Sequence, residues 1–280
     1  MIGKTRQIDT GPRGILVPHF KAGSFCHERV APSAALDGLV EHYWVAGWNM
    51  HGHPPQQQET LPHPNVHLVI ENDTDGVYGV RTARYTKLLA GQGFAFGIKF
   101  RPGGFRPFLG RAVAEIADQR IALAQLFGAD GDELTRQVRA CAAAADKAPA
   151  AMAAAAEAFL LARLPPSDED AGCAAALVAA IAGDSALLTV DALAMNAGMD
   201  KRALQRLFQQ YVGVGPKWVI KRYRMHEAVA QLQAGAAPEL ARLALELGYY
   251  DQSHFIKDFV ALVGKPPGEY LRQLQHGAGR

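Results

Sequence analysis

With 280 residues, 49% hydrophobic and 20% charged, the chain has the composition of a folded globular protein, with room for two domains at about 100–200 residues each. A net charge of +2 excludes neither nucleic acid nor small molecules as partners, because what counts is where positive charge concentrates. Cys26, Cys141 and Cys173 are widely spaced and form no C-x-x-C pair, which argues against a disulfide framework and a thiolate zinc site and fits a reducing cytoplasm.

The first twenty residues contain no apolar core of about 7–15 residues, so no signal peptide is expected. No run approaches the roughly 20 apolar residues that span a bilayer, so no membrane partner is expected and the cytoplasm is the expected location. Residues 1–125 hold most of the aromatic residues in short alternating segments. Phe94, Phe96, Ile98 and Phe100 recur every second residue, as do Val66, Leu68 and Ile70, which places each set on one face of a strand. A third strand is expected over residues 42–48, and Gly/Pro/His-rich stretches at 51–55 and 102–107 read as turns.

From about residue 126 the texture turns helical. The Ala-rich run over 133–164 ends at Pro165-Pro166, and an acidic stretch, Ser167–Asp170, reads as an exposed connector. The expected organisation is α+β in two domains. A β-rich, cupin-like or barrel-like domain occupies 1–125 and a helical connector 126–170. An all-α domain with two helix-turn-helix units joined by a linker helix occupies 171–280.

That last domain carries an internal repeat. Leu193, Ala194 and Gly198 match Leu243, Ala244 and Gly248 at an offset of 50. After the glycine the offset becomes 51, and Phe208, Val212, Gly213 and Pro216 match Phe259, Val263, Gly264 and Pro267. Each copy reads as helix, glycine turn, helix. Thr189, Asp200 and Asp251 are expected to cap helix N-termini, and Gly213 and Gly264 to end the second helices.

The second helix of the first copy is two-faced. Leu204, Leu207, Phe208 and Tyr211 form an apolar stripe, while Arg202, Gln205, Arg206 and Gln209 line the other side. Arg and Gln make bidentate contacts to guanine and adenine edges in the major groove. In the second copy Phe255, Phe259 and Leu262 face inward, and Gln252, Ser253 and Lys257 face outward. Pro216–Ala234 reads as one linker helix of about 28 Å, a length that sets the two reading helices about one duplex turn apart. Residues 201–224 hold seven cations and no acid. Of these, Lys201, Lys217, Lys221, Arg222 and Arg224 are the expected phosphate contacts.

GMDKRALQRLFQQYVG (198–213) and GYYDQSHFIKDFVALVGKPPGEY (248–270) resemble the AraC/XylS family of bacterial transcription regulators. Over residues 172–275 the resemblance implies a monomeric unit that inserts two recognition helices into successive major grooves of double-stranded DNA. Carried over by position, the base-reading residues are Arg202, Gln205 and Arg206 in the first unit and Gln252, Ser253 and Lys257 in the second. Asp200 stands where serine is common in the family. LPHPNVHLVIEN (61–72) and GIKFRPGGFRPFLG (97–110) are similar to an N-terminal β-domain that accompanies such modules. The resemblance implies a small-molecule effector or a homodimer through that domain, with RNA polymerase a further candidate partner.

Enzymatic chemistry is the rival reading. His51, His53, His63 and His67 with Glu59 offer a metal pattern, and a metal-dependent cupin-like enzyme with an appended helical domain is the alternative it supports. The Gly52 and Pro54-Pro55 flanks place two of those histidines in a loop, so neither metal nor other cofactor is expected, nor an enzyme. Arg101 and Arg106 read as an anion site or as surface ion pairs. Trp44, Trp48, Phe94, Phe96 and Phe100 read as core, part of which could line an apolar pocket.

Overall fold

The computed structural model describes residues 14–16, 23–143, 148–234 and 239–278. The expectation of no signal peptide concerns a segment that lies largely outside these residues. Strands β1 (Ser24–Val30), β2 (Val40–Asn49), β3 (Gln56–Thr60), β4 (His67–Glu71), β5 (Asp75–Tyr78), β6 (Tyr85–Leu89), β7 (Gln92–Phe100) and β8 (Arg120–Ile121) build the first domain. Among the described residues they form a six-stranded sheet of order β1-β2-β7-β4-β5-β8 and a separate ladder, β3-β6. The sheet is open. The barrel-like expectation is corrected, because the ladder ends at β1 and β8 without closing.

The period-2 pattern decides what each sheet face does. Phe96, Ile98 and Phe100 are 0% exposed; on the same face Phe96 pairs with Val45 and Ile70, Ile98 with Tyr43 and Leu68, and Phe100 with Val40. That face packs on α2 (Leu123–Phe127), α3 (Ala129–Ala143) and α4 (Ala148–Leu161), through Leu134, Val138, Met152, Ala153 and Ala156. The segment expected as a connector therefore supplies a layer of the first domain's core. The single Ala-rich run is two helices, with residues 144–147 outside the described set. Inside this core Glu157, 0% exposed, accepts hydrogen bonds from the Tyr43 hydroxyl at 2.5 Å and the Ser33 amide at 3.2 Å. A short helix, α1 (Arg106–Leu109), precedes these elements.

The second domain contains α5 (Glu169–Gly183), α6 (Val190–Ala197), α7 (Lys201–Leu207), α8 (Pro216–Gln233), α9 (Leu240–Glu246), α10 (Gln252–Val263) and α11 (Pro267–Ala278). Its capping follows the sequence closely. The Thr189 hydroxyl accepts from Ala192, the Asp200 carboxylate from Arg202 and Ala203, and the Asp251 carboxylate from His254. Gly198 and Gly248 turn at φ 62° and 79°, a conformation that a Cβ disfavours. One feature the sequence did not predict is that α7 continues into a π-helical turn, Phe208–Val212, before Gly213 ends it.

Helix α8 is the junction of the molecule. Its Val219 and Ile220 complete the core of the first unit with Leu193, Leu204 and Phe208. Met225, Ala228, Val229 and Leu232 complete the core of the second with Leu243, Phe255 and Phe259. Both cores take in residues of the β-rich domain: Val80 is buried in the first, Leu16 and Leu61 in the second. On a third side of α8, Arg222 is 1% exposed. Its guanidinium donates to the carbonyls of Pro62 and Thr82 and lies 4.3 Å from the Trp218 ring. Beside it His226 stacks on His63 with centroids 3.8 Å apart.

Replacing Arg222 with alanine leaves two interdomain carbonyls without a donor and a hole beside Trp218. We expect it to lower stability by about 2–4 kcal/mol in urea denaturation, the usual cost of removing one member of a buried charged contact. An unchanged midpoint would remove Arg222 from this role.

Candidate functional site

Two helix-turn-helix units face outward at the two ends of α8. On α7, Arg202, Gln205 and Arg206 are exposed, with Leu204 and Leu207 buried behind them. Neither arginine has a carboxylate within ion-pair distance among the described residues. On α10, Gln252, Ser253 and Lys257 are exposed over Phe255 and Phe259, while Ile256 packs against the core. The six residues read from the sequence thus stand on the outer surfaces of the second helices of both units. With 18 residues, α8 is about 27 Å long, close to the expected linker length.

The five cations assigned to phosphate divide differently. Lys217 is exposed, and Lys201 and Lys221 are exposed but paired, with Asp191 and with Asp258 at 2.6 Å. The Lys221 pair ties α8 to α10. Arg222 and Arg224 are corrected: both are buried and turned inward. Arg224, 4% exposed, donates to the carbonyls of Ile181 and Asp184 and pairs with Glu227. A guanidinium held this way cannot reach a backbone phosphate. A run of cations on a helix has no direction until its apolar neighbours fix which side is inside.

The β-rich domain holds the C-terminal ends of the second helices of both units. The Gly103 amide donates to the Tyr211 carbonyl at 3.1 Å, in the π-helical turn after α7. Arg84 donates to the Val263 carbonyl at the end of α10 at 3.1 Å, where a cation meets the negative end of the helix dipole. The connector residue Asp168 caps α5 and accepts from the Tyr211 hydroxyl at 3.1 Å. Arg106 lies 5.5 Å from the Tyr211 ring, and Arg101 pairs with Asp37 at 2.8 Å, so neither builds an anion site with the other.

The second face of the six-stranded sheet lines a cavity of about 570 Å³, roofed by β3-β6 and bordered by Tyr223 of α8. Its floor is aromatic. The indoles of Trp44 and Trp48 lie flat on the sheet over Gly97 and Gly93, where any Cβ would stand 2.1 Å and 2.4 Å from the rings. Beside them is a polar cluster. Lys99 donates to Glu41 at 2.8 Å, and Asn65 donates to the other carboxylate oxygen at 3.2 Å. Burial lowers the pKa of His42 to about 4 and that of His67 to about 3, with the Lys99 charge adding to both. Both rings are neutral at physiological pH.

Of the aromatic set, Trp44 and Trp48 line this cavity, while Phe96 and Phe100 are core and Phe94 packs on it. The histidines weighed as metal ligands are dispersed. His51 and His53 lie in an exposed turn, His63 is at the domain junction and His67 is in the cavity wall. Glu59 pairs with Arg84. Among the described residues no three His, Cys, Asp or Glu converge as a metal site. Lys99 and His67 are the off-beat members of their strands, and polar residues there signal a wetted face.

Residues 28–122 match the family model described as a domain of unknown function (DUF6597), and residues 193–273 match the model described as a helix-turn-helix domain. A Streptomyces lividans protein named as an AraC-like transcription regulator is 36% identical over 84 residues, which are 30% of this chain and 27% of that protein. A Haemophilus influenzae protein named as an HTH-type transcriptional regulator is 31% identical over 85 residues, 30% of this chain and 28% of that one. The chain thus matches about a quarter of the length of these curated relatives. Among solved structures, an apo point variant of ToxT from Vibrio cholerae is similar at a TM-score of 0.44 and 11% identity, over 83% of this chain and 97% of that one.

The neutral state of His42 has a measurable consequence. Its folded pKa, about 4, lies below the usual 6.5, so the unfolded chain binds the proton first and stability falls as pH drops through that window. The ring alone should cost about 2 kcal/mol between pH 8 and pH 5, at about 1.4 kcal/mol per pKa unit. Urea denaturation at the two pH values measures this loss together with that of His67, whose pKa is lowered in the same way, and His42→Gln should reduce the total by about 2 kcal/mol.

Proposed function

We propose that the chain is a sequence-specific, DNA-binding transcriptional regulator acting in the cytoplasm, with α7 and α10 entering successive major grooves. The observation that carries this reading is the pairing of two outward polar faces on matched units at the two ends of one rigid helix. Arg202, Gln205 and Arg206 read bases, with Gln252, Ser253 and Lys257 in a lesser share. Lys217, Lys201 and Lys221 contact phosphate and set the salt dependence. The β-rich domain modulates binding in response to a small molecule. A second copy of the chain and RNA polymerase are further candidate partners.

The resemblance of 198–213 and 248–270 to AraC/XylS regulators and the helix-turn-helix match over 193–273 support this reading. In vitro selection with the full-length chain should return sites spanning two adjacent major-groove turns. Failure to enrich any sequence would sink the proposal. On a selected site, Arg206→Ala should weaken binding by about 1–3 kcal/mol and relax preference at one position. Lys217→Ala should weaken all sequences alike and lower the salt slope by about one.

A further inference from the structure

Between β5 and β6, residues 80–84 touch four separate parts of the molecule. Val80 is buried in the core of the first helix-turn-helix unit. Arg81 lines the cavity. The Thr82 carbonyl accepts from Arg222 of α8, and Arg84 donates to the last turn of α10. Asp118 braces the segment, accepting from the Thr82 amide at 2.8 Å and from its hydroxyl, while itself at a left-handed φ of 58°.

The cavity has the chemistry of a flat anion's site. Four cationic side chains and two carboxylates line it. Lys99 pairs with Glu41 and Lys87 with Glu71, so both acids are already matched. The Arg81 guanidinium stands 5.2 Å from the rings of Tyr78 and Tyr85, with no carboxylate in ion-pair distance among the described residues. Stacking against rings leaves the edge of the fork free, and that edge matches a carboxylate bidentately. Across the floor, β2 and β5 are three ladder steps apart, about 14 Å at about 4.8 Å per step. The Trp44 indole, lying over Gly97 of β7, supplies an apolar surface within that span, whereas Trp48 stands four residues along β2, about 13 Å away at about 3.3 Å per residue, with the Lys87 ammonium 5.4 Å from its ring.

We propose that the cavity binds a flat aromatic carboxylate, its ring on Trp44 and its carboxylate on Arg81, and that segment 80–84 reports its presence to both DNA-binding units. The binding half stands on the cavity alone, and the reporting half rests on the reading of the chain as a DNA-binding regulator. A ligand held by Arg81 fixes a segment that also contacts the first unit's core, the linker helix and the end of α10. The coupling is therefore mechanical and short.

Benzoate, trans-cinnamate and 2-naphthoate, each beside its primary amide, are titrated into the full-length chain with tryptophan fluorescence and calorimetry as readouts. At least one acid should bind below millimolar, with its amide at least tenfold weaker. Arg81→Met should weaken the acid tenfold or more and leave the amide unchanged, and Arg81→Lys should fall between. No acid binding, equal binding of the amide, or an unchanged acid affinity in Arg81→Met overturns the assignment. If Arg81→Met does not fold, the acid-to-amide comparison on the native chain decides. A saturating acid should change affinity for a selected DNA site at least threefold, and no change overturns the reporting role. Absence of specific DNA binding with and without acid strikes the regulator reading and leaves the cavity assignment intact.

Discussion

A guanidinium taken out of water has five N–H groups to satisfy, and Arg222 satisfies part of that demand on the carbonyls of another domain. Burial lowers its pKa only to about 10, so the side chain stays charged and keeps requiring those carbonyls. The two domains cannot separate without returning that charge to water and opening the Trp218 stack. Since α8 also completes the cores of both helix-turn-helix units, its attachment to the β-rich domain fixes the frame in which α7 and α10 sit. Gly103 and Arg84 then hold the far ends of those helices from the same domain.

The same economy governs the sheet. One face is closed by α3 and α4 into a dry core, and the other faces a cavity between the sheet and β3-β6. Each strand therefore serves two environments by alternation. Gly93 and Gly97 give up side chains so that two indoles can lie flat, which turns part of a backbone surface into an aromatic one.

Much of this was legible in the residues. The repeat at offsets 50 and 51, the capping residues and the period-2 runs located both units and the core face correctly, because each rests on local geometry that the chain cannot evade. Three things were not legible. Arg222 and Arg224 sit among exposed cations, and only tertiary packing shows that they point inward. Residues 126–170 lack a strand pattern, and their Ala-rich helices gave no sign of which surface they cover. Arg81 lies in a short loop of no particular pattern, so its place between two tyrosines comes from long-range pairing of β5 and β6 with different ladders.

The two units are joined head to tail and are not copies in shape. The first reading helix widens into a π-helical turn, whereas α10 runs unbroken for 12 residues to Gly264. A duplex laid along this chain consequently has a left and a right, and the same duplex turned end for end is a different ligand. Under the proposed function, such a pair of unequal units would distinguish upstream from downstream even when a single chain binds.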